Sequence, residues 1–103
     1  MKKNEKVVVL AEIHILPGYE KEILHAAETL WTCTRAEKGN EAYILTTEKD
    51  NDGIIRFFEI FKNADSFVAH SKETHTQEFG KTLKGKVKGD TAKLTFLHQY
   101  EAD

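Results

Sequence analysis

At 103 residues the chain has room for one domain with a single modest core. A formal charge of −2, with 31% of residues charged, supplies no basic field for nucleic acid or an anionic membrane. One cysteine, Cys33, excludes an internal disulfide and suits a reducing cytosol.

The opening MKKNEKVVVLAEIHILPG pairs a basic tip with an apolar run, as a secretory signal does. Glu12 and His14 interrupt that run, and no small-residue cleavage pattern follows. No segment approaches the roughly 20 apolar residues of a membrane span, so a soluble, cytoplasmic protein is expected. Val7–Leu16 reads instead as a strand, rich in β-branched residues and ended by Pro17-Gly18. Both of its faces are apolar through Leu10, so both need cover.

A helical pattern follows over 20–36. Ile23, Ala26, Ala27, Leu30, Trp31 and Thr34 form one stripe at three- and four-residue spacing, and Gly39 is a natural stop. Glu41–Thr47 (EAYILTT) is a strand, EKDNDG a hairpin turn, and Ile54–Phe61 the returning strand. Asn63 suits the N-cap of a second helical region, whose first part holds Phe67 and Val68 and whose second holds Phe79 and Leu83. Gly85 and Gly89 end it. Ala92–Tyr100 alternates as a last strand. The ends, 1–5 and 101–103, read as loose.

The order predicts an α+β, ferredoxin-like β-α-β-β-α-β domain spanning the whole chain. Two helices cover one face of a four-stranded sheet. The other face then exposes more apolar surface than a monomer usually tolerates, so it must meet a second chain or wall a cavity. A homodimer is expected on that ground alone.

Five histidines raise the question of a metal. His70 and His75 are five residues apart, about 140° around an ideal helix, so they diverge unless the helix breaks between them. There is no H-x-H and no CxxC, and no metal site is expected. Phosphate-binding glycine motifs are absent, and Ser66 and Ser71 have no nucleophile elbow around them.

Two residues carry more chemical interest. Alternation puts Glu59 on one strand face with Phe57 and Phe61, opposite Arg56, Phe58, Ile60 and Lys62. A carboxylate there either pairs with a cation from a neighbouring element or sits desolvated on a cavity wall with a raised pKa. His70, three residues after Phe67, points inward, as a hydrogen-bonded core residue or as a general base. Trp31 and Tyr43 are core residues or, beside a cavity, flat walls with polar tips. His14, His25 and His98 read as surface or strand-end positions.

Four segments, in order, resemble one family. VVVLAEIHILPGYEKEI is similar to the first strand, Pro-Gly turn and acidic helix start of the antibiotic biosynthesis monooxygenase family. RAEKGNEAYIL resembles its sraEpGnlrY segment, with Glu37, Gly39, Asn40 and Tyr43 in place. RFFEIFKNADSFVAH and SKETHTQEF resemble the strand-Glu-to-helix segment and the histidine that follows it.

The resemblance implies a dimeric α/β barrel with a pocket between sheet and helices in each subunit. It also implies a cofactor-free monooxygenase that oxidises a small aromatic, quinol-type molecule with O₂. On that reading His70, with His75 behind it, removes a proton from the substrate, and Glu59 orients the imidazole or holds its charge. The resulting anion passes an electron to O₂, the radicals combine, and the peroxide collapses to a quinone. Trp31, Tyr43, Phe57, Phe61 and Phe67 are the implied substrate-binding walls.

The departures from the family are specific. The Trp that usually follows the strand Glu is Phe61 here. The haem-degrading branch wants an Asn, that Trp and a late histidine ligand where this chain has Ala11, Phe61 and, by spacing, Gly80; no haem or other cofactor is expected. The branch that processes phosphorylated autoinducer-2 shares the Glu37–Asn40 and Arg56–Glu59 features but has a histidine where Trp31 stands. Two other readings stay open: a non-catalytic small-ligand-binding barrel, and a sugar-phosphate isomerase using Arg35, Arg56 and Lys62.

Overall fold

The computed structural model describes residues 5–100; of the ends expected to be loose, 1–5 and 101–103, all but Glu5 lie outside the described residues, and Glu5 pairs with His98 at 3.1 Å. The elements are β1 (Val7–His14), α1 (Glu20–Arg35), β2 (Asn40–Glu48), β3 (Asn51–Phe61), α2 (Ala64–Lys72), α3 (Thr74–Leu83) and β4 (Lys93–Leu97), with a 3-10 turn at Lys88–Asp90. The strands form one antiparallel sheet in the order β2-β3-β1-β4. This is the ferredoxin-like arrangement, with the second helical region divided into α2 and α3.

The helices cover the odd-numbered face of β1. Val7, Val9, Ala11 and Ile13 are buried there, and their register partners on β3 continue the core as Phe61, Glu59, Phe57 and Ile55. Helix α1 contributes Ile23, Ala27, Leu30 and Thr34, four of the six residues of its sequence stripe, and packs against α3 and β2. Ala26 and Trp31 only flank that core. Asn63 caps α2 as expected, its Oδ1 accepting from the Ser66 backbone N–H at 2.9 Å.

Three boundaries differ from the sequence reading. The hairpin needs only Lys49 and Asp50, with Asp50 at φ 66°, so β3 starts at Asn51 and most of EKDNDG is strand. Ile15 leaves the sheet of β1 and bridges to Val87. The last strand stops at Leu97, short of Tyr100. Leu97 pairs with Val8, so Gln99 and Tyr100 would fall opposite residues ahead of β1 and gain no ladder.

On the even-numbered face, the register lines up Val8 with Ile60, Ala42 and Leu97, and Leu10 with Phe58 and Ile44. No helix among the described residues covers them; Ile44 is 51% and Leu97 42% exposed. The same face turns polar further along. Arg56 Nε donates to Glu12 at 2.7 Å and its Nη1 to Glu48 at 3.1 Å, while His14 Nε2 lies 2.7 Å from the other Glu12 oxygen. That network explains why Glu12 and His14 interrupt an otherwise apolar strand. No helix among the described residues is long and apolar enough to cross a membrane.

Candidate active site

A cavity of about 200 Å³ opens between the sheet and α2–α3. Ala11, Ile13, Leu30, Phe57, Phe79 and Leu83 give it an apolar lining, with Leu94 and Ala92 beside them. Tyr43, Glu59, His70, Ser71, Thr76 and Thr91 supply its polar groups. Gly80 lines it too, and a methyl group placed on its Cα would meet no atom within 4 Å. The missing side chain leaves this part of the cavity open.

Five of the eight residues expected at the site line the cavity: Tyr43, Phe57, Glu59, Phe67 and His70. Trp31, Phe61 and His75 do not. Trp31 lies outside, where its Nε1 donates to the Tyr43 carbonyl at 2.8 Å along the open edge of β2 and Arg35 stands 5.3 Å over its ring. An edge strand has unpaired backbone groups, and the indole N–H satisfies one of them. Phe61 is fully buried beneath His70, ring centroids 4.8 Å apart, and packs edge-on against Phe67. It supports the site from within the core.

The partnership of the histidines is the main correction to the sequence reading. The helix breaks at Glu73, whose ψ of 144° is extended, so α2 ends and α3 begins in a new direction. His70 and His75 therefore converge. Both meet one oxygen of Glu37, His70 Nδ1 at 2.9 Å and His75 Nε2 at 2.6 Å from Oε2. A carboxylate accepts both bonds, so both ring nitrogens are N–H donors. In the neutral ring that tautomer leaves the lone pair on Nε2, the nitrogen not engaged by Glu37. The role foreseen for Glu59 as the orienting carboxylate belongs geometrically to Glu37.

Glu59 is buried, 4% exposed, and no hydrogen bond joins its side chain to any described residue. Burial, then the nearby charge of Glu37, pushes its pKa up to about 8. At neutral pH it is mainly a carboxylic acid on the cavity wall. Burial also raises the Tyr43 phenol well above its ordinary value, keeping it protonated.

Glu37 is the residue that sequence reasoning named without assigning a task. Its position depends on Gly39. A Cβ on Gly39 would lie 2.3 Å from the Cβ of Ser66, at the start of α2, and the Gly39 carbonyl accepts from Lys62 N–H at 2.8 Å. The turn carrying Glu37 is thus pressed against the helix carrying His70. Gly39→Ala should destabilise the fold by about 1–3 kcal/mol, the usual range for overpacking, because no rotamer moves a Cβ. Denaturant unfolding checks this; wild-type stability would mean that the turn and α2 separate freely.

A family model described as antibiotic biosynthesis monooxygenase matches residues 6–82. No curated protein matches the sequence. Solved structures share the fold. A Pseudomonas aeruginosa protein superposes with a TM-score of 0.87 at 17% identity, covering 98% of this chain and 100% of its own. A protein described as an antibiotic biosynthesis monooxygenase gives 0.85 at 18% identity, covering 92% and 99%. A Mycobacterium tuberculosis protein gives 0.83 at 21% identity, covering 95% and 98%. With the model match running through β1, the Glu37 turn, β3 and both histidines, the chain belongs to the antibiotic biosynthesis monooxygenase family.

Proposed function

We propose that the protein is a cofactor-free monooxygenase acting on a one- or two-ring quinol-type aromatic, with His70 as general base. The observation that carries this reading is the cavity face of His70, whose Nδ1 is held by Glu37. An apolar cavity of about 150 Å³ suffices for benzene, so about 200 Å³ suits one ring or a compact fused pair and crowds larger polyketides.

In the proposed reaction His70 Nε2 takes a proton from a substrate hydroxyl, and Glu37 stabilises the imidazolium. The phenolate is itself the reductant. One electron passes to O₂, the substrate radical and superoxide combine at a ring carbon, and the peroxide is protonated. Glu59, protonated at neutral pH, is the acid placed to supply that proton. Cleavage of the O–O bond leaves one oxygen on the ring as a hydroxyquinone and releases the other as water. Quinol plus O₂ thus balances hydroxyquinone plus water with no other reductant.

Oxygen uptake with one-, two- and three-ring hydroquinones and anthrones tests the proposal. Turnover above autoxidation is expected for the smaller substrates, with label from ¹⁸O₂ in the product. Rates equal to the blank across the panel would overturn it in favour of a binding protein.

The working unit proposed is a homodimer joined through the bare sheet face, where Val8, Leu10, Phe58, Ile60, Ile44 and Leu97 lie together. Light scattering should give about twice the 11.8 kDa of one chain. A stable monomer at micromolar concentration would sink the dimer.

A further inference from the structure

We infer that Glu37, His70 and His75 form a binding site for a divalent transition cation of the zinc type. The three donor atoms lie within 4.8 Å of one another. Their side chains are 12%, 7% and 19% exposed, enclosed yet reachable from the His75 side. Two imidazoles and one carboxylate are a donor set that suits zinc and its neighbours, whereas magnesium and calcium prefer oxygen alone.

The geometry needs little change. Donors about 2.0–2.2 Å from a tetrahedral zinc sit roughly 3.3–3.5 Å apart. The present Glu37 separations are 2.9 Å and 2.6 Å, so each imidazole must withdraw from Glu37 by less than an ångström, while the two ring nitrogens, no more than 4.8 Å apart, swing toward each other. The half-buried His75, on the first turn of α3, has room to do so. The convergence is not incidental to the helix. On one continuous helix the two histidines would diverge by about 140°; the break at Glu73 brings them together. Three protein donors also leave a fourth position for water or an anion, the pattern of open zinc sites.

Occupancy has a consequence for His70. A cation on Nδ1 displaces the proton there, so the neutral ring carries its N–H on Nε2 and loses the lone pair needed for proton abstraction. Zinc would then inhibit the oxidation proposed above. That consequence rests on the proposed function; the metal site does not, and its test reads binding alone.

Zinc titrated calorimetrically into the EDTA-treated full chain at pH 7 should bind once per chain. His75→Ala should weaken binding about tenfold or more, and His14→Ala, on the opposite sheet face, should not. Nitrogen-15 shifts of the wild-type rings supply a readout independent of any variant's folding. His70 Nδ1 and His75 Nε2 should move on adding zinc, and the rings of His14, His25 and His98 should stay. The site is refuted by the absence of saturable binding, by His75→Ala titrating like wild type, or by movement confined to the other histidines.

Discussion

Glu59→Gln should make the protein more stable above neutrality, and the gain should disappear on acidification. Burial raises the folded pKa of Glu59 from 4.5 to about 8. Between those values the unfolded chain has released the Glu59 proton while the folded chain retains it. Stability therefore falls as pH rises through that window, at about 1.4 kcal/mol per pH unit, and levels off above the folded pKa. Comparing pH 5 with pH 8, wild type should lose roughly 3 kcal/mol relative to the glutamine variant. For a domain of this size that is about 10 °C or more in melting temperature. Glutamine has its own buried polar atoms, whose cost is the same at both pH values; the pH-dependent difference isolates the carboxyl. Parallel stability–pH curves for the two proteins would show that Glu59 finds a compensating partner in solution.

A group held at this cost fits a site better than a scaffold. A buried salt bridge would have lowered the pKa and stabilised the charged form. Here Phe57 and Ala11 are neighbours of Glu59 on the same sheet face, and the nearest ionic influence, Glu37, is of like charge. The environment selects an acid able to donate a proton into an apolar cavity.

Alternation and helical periodicity made the frame legible. Strand period placed Glu59, Phe57 and Phe61 on the covered face, and the α1 stripe placed Ile23, Ala27, Leu30 and Thr34 toward it. Periodicity names a face, however, and cannot divide it between core and cavity. Phe61 and Glu59 share a face, yet one is packed beneath His70 and the other lines the cavity. Trp31, at the margin of its stripe, was drawn away by the unpaired carbonyl of an edge strand.

The Glu37 cluster was harder to read, since its members are 33 and 38 residues apart in sequence. The helix break at Glu73 has no Gly or Pro beside it. The one local signal was the EKGN segment, where Gly39 allows the close approach to Ser66.

His70→Asn should abolish most quinol oxidation while the chain still folds. Alanine is the less informative change, because His70 is buried and packs against the Phe61, Phe67 and Tyr43 rings. Truncation to Ala would leave a hole among them and mix lost packing with lost chemistry. Asparagine places an N–H donor near the position of Nδ1, so the bond to Glu37 can persist, but it has no counterpart of the Nε2 lone pair. Removal of a positioned general base typically costs about 10²–10⁴-fold in rate. The loss should appear in kcat, with KM changed less, since the aromatic and aliphatic walls that hold the substrate remain. His75→Ala should cost less, because His75 does not line the cavity and is joined to His70 through Glu37. Glu37→Gln should fall between them: where Oε2 now meets both rings, its amide presents either an oxygen that accepts from both or a nitrogen that donates to both, so the tautomer of His70 is no longer fixed. Wild-type turnover by His70→Asn would remove His70 as the base and leave Glu59, in its ionised fraction, as the group on the cavity wall able to take the proton.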